Sequence, residues 1–74
     1  MIPQPELLTL MVAVSDAMDL AEAGRAGDGY LILLQGLQRV NEVCATGEVW
    51  GEALLQRYQT AADDFARQYG LGRA

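Results

Sequence analysis

Histidine and lysine are both absent from this 74-residue chain, cysteine and tryptophan occur once each, and the two prolines, Pro3 and Pro5, are confined to the first five residues. General acid–base catalysis near neutral pH most often recruits histidine, and lysine is the usual amine nucleophile. Without either, the chain is expected not to be an enzyme. A Cys/His zinc site has too few ligands, and Cys44, standing alone, excludes an intrachain disulfide. No metal and no cofactor are therefore expected.

Long apolar runs are missing as well. The longest, Leu10 to Val14 and Tyr30 to Leu34, have five residues each, far short of the ~20 that span a bilayer. No membrane association is expected. Met1-Ile2-Pro3-Gln4-Pro5-Glu6 has neither the basic region nor the small-residue cleavage site of a secretory leader. A cytoplasmic location is the expectation, consistent with a free cysteine. Positive charge is scarce too: five arginines face ten acids, for a net charge of -5. A nucleic-acid backbone would be repelled rather than gripped, and neither Arg39 nor Arg57 has the basic companions of an anion site.

What remains is apolar and helical. Hydrophobic residues make up 51% of the chain, a globular composition, and the length allows one domain, 1–74, with one modest core. Pro5 and Glu6 suit a first helical turn, and a helix is expected over about 5–23. At 100° per residue Leu7, Leu10, Met11, Val14, Ala17, Met18 and Ala21 form one stripe, while Leu8 and Val12 make a second, smaller patch beside Ser15 and Asp19. Glu6, Asp16, Asp19 and Glu22 lie in the first 24 residues with no base among them. Gly24 reads as the stop.

Asp28 can cap a second helix over about 28–46. Tyr30, Leu33, Leu34, Leu37, Val40, Asn41 and Cys44 share one face, Ile32, Gly36 and Val43 widen it, and Leu31 intrudes on the polar strip of Gln35, Gln38, Arg39 and Glu42. A glycine inside a helix costs about 1 kcal/mol relative to alanine, so Gly36 implies close approach of a neighbouring helix. Gly47 ends this helix, and a third is expected over about 48–69. Its stripe is Trp50, Leu54, Leu55, Tyr58, Ala61, Ala62, Phe65 and Tyr69. Gly70 followed by Leu71 has the form of a Schellman C-cap, leaving Gly72-Arg73-Ala74 as a frayed tail.

Chemical readings of individual residues give way to structural ones. Cys44 falls on the inner face of helix 2 with no histidine to activate it, and is expected to be a buried thiol. Ser15 has no base or glycine elbow. Glu48/Glu52, Asp16/Asp19 and Asp63/Asp64 are carboxylate pairs, but helix-borne dimetal sites pair glutamate with histidine, so these read as solvated charge. Asn41 is a boundary residue in water or a register-setting polar group in an interface. The aromatic stripe of helix 3 is expected in the core or an interface rather than around a ligand.

Leu20-Ala21-Glu22-Ala23-Gly24 and Gly27-Asp28-Gly29-Tyr30, followed by Leu33, Leu37 and Val40, resemble one tetratricopeptide-type hairpin over less than half of the chain. Ile32, Leu33 and Leu34 replace the family's small residues on the second helix, an extra residue near Gly29 is needed for alignment, and no second repeat follows. Arrays of this kind need about three repeats, so peptide binding does not carry over.

The expected fold is therefore all-α: helices 1 and 2 as an antiparallel hairpin with helix 3 packed across. Its core would be Leu10, Val14, Ala17, Leu33, Leu37, Val40, Cys44, Trp50, Leu54, Tyr58, Ala61 and Phe65. Leu8, Val12, Leu31, Ile32, Gly36 and Val43 exceed what so small a core can hide and are expected to meet a second chain. A domain of this size buries only roughly 60% of its unfolded surface. The first expectation is a homodimeric or larger helical-bundle scaffold. The alternative is a regulatory binder or inhibitor, of adaptor or antitoxin-like kind, that captures another protein with acidic helix 1 steering a cationic partner.

Overall fold

A computed structural model describes residues 1–71; the tail Gly72-Arg73-Ala74 lies outside the described residues. The described chain is three helices and no strand: α1 (Gln4–Glu22), α2 (Ala26–Ala45) and α3 (Gly51–Tyr69). Local chemistry sets the ends. Pro3 precedes α1, and Gln4 and Pro5 open it, so the missing proline N–H falls where no helical partner exists. Past each helix stands a glycine with positive φ, at Gly24, Gly47 and Gly70, a conformation that disfavours any residue with a Cβ. At Gly24 two further bonds complete the stop: its N–H donates to Ala21 O at 3.0 Å, and Arg25 N–H to Leu20 O at 2.8 Å. At the end of α3, Leu71 N–H donates to Ala66 O at 2.7 Å and the leucine packs on the core, the Schellman cap its sequence implies.

Two helix starts differ from expectation. Helix α2 begins at Ala26 with Arg25 as its cap residue. Asp28 sits within the first turn, and its carboxylate accepts from Arg25 Nε at 2.8 Å instead of capping a backbone N–H. Helix α3 begins at Gly51 rather than 48, because residues 48–50 form a turn closed by Gly51 N–H to Glu48 O at 3.1 Å. Trp50 is thus the corner residue. Gly51 itself is pressed on α2, where a Cβ would stand 3.2 Å from Cys44 Sγ.

Contacts fix the order of packing. Gly29 meets Ala17, and Arg39 reaches Glu6, so α1 and α2 run antiparallel. Gly29 also meets Phe65, Gly36 meets Tyr58 and Gly51 meets Cys44, so α2 and α3 run antiparallel and α1 is parallel to α3. Helix α2 lies in the middle, packed along both neighbours, which touch each other little. The Cα extents of 37 × 26 × 15 Å fit three helices side by side at the usual 8–10 Å spacing. Helix α3 packs mainly on α2 and touches α1 less.

The core is thin and divided. Ala17, Leu33, Ala62 and Phe65 are buried where all three helices meet. Val40, Leu54 and Tyr58 form a second group towards the other end, flanked by Leu37 and Trp50. A buried Leu33 or Leu54 contributes about 1.5–3 kcal/mol. Leu10, Val14, Leu37, Cys44, Trp50 and Ala61, also expected inside, are only half-buried. A single layer gives α1 and α3 each one neighbour along most of their length, and Trp50 and Cys44 flank an open corner.

Candidate interaction surface

On α1 the layer leaves a large apolar surface uncovered. Leu8 is 51% exposed, Met11 64%, Val12 58% and Met18 39%. Positions 8, 11, 12, 15 and 18 share one side of a helix, so these side chains flank the exposed Ser15 in a continuous stripe. Met11 and Met18, expected on the buried stripe with Ala17, belong to this one instead. The reason lies opposite. Across from Met11 the α3 wall offers only the short Ala61, and Met18 is faced by Ala61, Asp64, Phe65 and Gln68.

That gap is a trough between α1 and α3. A hollow of about 510 Å³ runs under Met11, Val14 and Met18 and is bounded across the gap by Ala61. It continues over Leu33 and Phe65 at one end, and past Leu10 towards Arg57 and Thr60 at the other. Asp19 and Glu22 edge its α1 side, and Asp64 its α3 side. Asp16, Asp19 and Glu22 have no ion-pair partner among the described residues. Glu6 is different, because its carboxylate accepts from Arg39 at 2.7 Å across the α1–α2 contact. This bond holds the guanidinium above its ordinary pKa against a smaller, opposing effect of burial, with a lesser contribution from the nearby Tyr58 hydroxyl. The hydroxyl lies near Arg39 without hydrogen-bond geometry, so it is buried and unpaired.

The other residues expected at an interface fall in two groups. Leu31 is exposed on the back of α2. Ile32, Gly36 and Val43 recur with Arg39 at helical spacing, on the side of α2 where Arg39 reaches Glu6 of α1 and Gly36 meets Tyr58 of α3. Ile32 and Val43 are half-buried there, and Gly36 is occupied by the Tyr58 ring. The close approach that Gly36 implies is therefore made within the chain.

Cys44 is a half-buried free thiol rather than a fully buried one. Ser15 and Asn41 are exposed, as are Glu48, Glu52 and Asp63. The Asp64–Arg67 pair, 3.9 Å apart and well exposed, is of a kind worth little. Among the described residues, no three His, Cys, Asp or Glu side chains gather as a metal site, and no helix is long and apolar enough to cross a membrane. Tyr58 and Phe65 are core residues, and Phe65 stacks tilted on Tyr69 at 4.7 Å between centroids.

No protein-family model matches the chain, and no curated protein or solved structure does. The hairpin likeness of α1 and α2 thus brings no family with it, and function rests on the surface itself. Leu8 and Val12 were legible as a surplus patch from their angle on the helix. Met11 and Met18 were not, because their angle suits either a closed bundle or an open layer.

Proposed function

We propose that the chain is a small, non-catalytic interaction protein of regulatory or adaptor type, which takes up a helix of another protein in the trough beside α1. The observation that supports this most is the exposure of Leu8, Met11, Val12 and Met18 on a helix whose other side is already packed. An amphipathic helix laid in the trough would cover Met11, Val14 and Met18 and act as the fourth helix of a bundle. Methionine suits such a surface because its unbranched chain adapts to differing partners. Selection of helical peptides from a displayed random library against the immobilised chain tests the proposal. Enriched peptides are expected to lose binding to a Met11→Ser/Met18→Ser variant. Retained binding, or no enrichment at all, would refute it.

Self-association is a second reading, supported by Leu8, Val12 and Leu31, which remain exposed on the outer sides of α1 and α2. It loses the support of Ile32, Gly36 and Val43. Sedimentation velocity at tens of micromolar discriminates: a dimer abolished by Leu8→Ser/Val12→Ser supports this reading, and a strict monomer removes it while leaving helix capture standing.

A further inference from the structure

The trough carries a charge gradient as well as an apolar floor. Asp19 and Glu22 of α1 lie at one end and Arg57 of α3 at the other, while Asp64 of α3 lines the Arg57 stretch as well and is paired with Arg67. Neither Asp19, Glu22 nor Arg57 is in an ion pair among the described residues. Because α1 and α3 are parallel, both C-termini, the partially negative helix ends, lie at the acidic end. Between the two ends run Met11, Val14, Met18 and Ala61, with Ser15 the one uncharged polar residue of that hollow.

Resting on the helix-capture reading, we infer that the occupant is an amphipathic helix with basic residues in its N-terminal half, lying antiparallel to α1 and α3. In that orientation its lysines or arginines and the positive end of its dipole meet Asp19 and Glu22. Its C-terminal end meets Arg57. The walls, built on helices of 19 residues, match about four to five turns of such a partner at 1.5 Å per residue. The chain's own helices do not fit. Helix α1 has no base, α2 sets Arg25 against Asp28 at its start, and α3 carries Glu52 first and Arg67 last. A second copy therefore lacks the polarity that the trough selects.

Three labelled peptides of about 18 residues test this, sharing one composition. The first has a leucine face with lysines in its N-terminal half and glutamates in its C-terminal half. The second keeps the leucine face and reverses the charges, and the third scrambles the first so that no apolar face remains. Anisotropy with the full chain is expected to show the first binding roughly tenfold tighter than the second at about 50 mM salt, the gap shrinking towards twofold near 500 mM as charges are screened. Asp19→Asn/Glu22→Gln is expected to weaken the first peptide about tenfold at low salt without changing helix content. Met18→Ser is expected to weaken both amphipathic peptides. If the reversed peptide binds equally well and Met18→Ser still weakens it, the charge inference fails while helix capture survives. If no peptide binds, or the scrambled one binds as tightly, both fail.

Discussion

Gly27 and Gly29 stand two residues apart near the start of α2, and replacing each by alanine should have opposite effects. At Gly27 a Cβ would meet nothing within 4 Å. Alanine there only narrows the unfolded ensemble and improves helix propensity, a gain of about 0.4–1 kcal/mol. At Gly29 the same Cβ would lie 2.5 Å from the Ala17 carbonyl oxygen and 3.0 Å from Phe65 Cζ. The first obstacle is backbone and the second a buried ring, so neither can step aside freely. Relief requires α1 and α2 to part where Ala17, Leu33 and Phe65 are packed. Overpacking of this kind costs about 1–3 kcal/mol, against which helix propensity returns at most about 1 kcal/mol. Gly29→Ala is thus expected to lose about 1–2 kcal/mol, and the two variants should differ by about 2 kcal/mol. For a domain of this length that is a separation of about 8–16 °C in Tm. Urea and thermal unfolding followed by circular dichroism at equal protein concentration measure it. A Gly29→Ala protein as stable as Gly27→Ala would refute the close α1–α2 crossing on which the layered fold depends.

Other outcomes follow from the same contacts. Gly36→Ala would overlap Tyr58 Cε1, and urea denaturation is expected to show a loss of about 1–2 kcal/mol despite better helix propensity. Tyr58→Phe removes a buried hydroxyl that has no partner, so stability should stay level or rise by up to about 1 kcal/mol; a loss above about 1 kcal/mol would show that the hydroxyl is bonded to Arg39. Met11→Ser alters a side chain that is 64% exposed and should change unfolding free energy by less than about 0.5 kcal/mol, whereas Met18→Ser, at 39% exposure, should cost about 1 kcal/mol; peptide capture falls in both. Gly70→Ala places a Cβ at φ 69° and is expected to cost about 1 kcal/mol in a thermal melt.

The number of helices, their glycine stops and the Gly70–Leu71 cap depend on chemistry within a few residues, and all are readable from one strand of text. So are the absence of histidine and lysine, the acidity of α1 and the angular positions of Leu8 and Val12. Helix starts were less legible. Asp28 is a good cap residue by type, but the tight turn at Gly24 begins α2 two residues before it. Trp50 has the spacing of a helix 3 core residue, but the seating of Gly51 against Cys44 makes it a corner.

What tertiary structure alone decided is which apolar sides are covered. A period of 3.6 residues gives each side chain an angle but not the neighbour at that angle. Small residues at Gly29 and Gly36, two turns apart on one side of α2, bring it close to Ala17 and Phe65 at the first and to Tyr58 at the second, so that α2 packs on both neighbours. Beyond the region of Ala17, Ala62 and Phe65, α1 and α3 touch little. Ile32 and Val43 are half-buried, and Met11 and Met18 line the open trough. Composition and periodicity determined that apolar surface is in surplus; the separation of α1 from α3 determined where it lies, because cover is a property of helix pairs and not of any one helix.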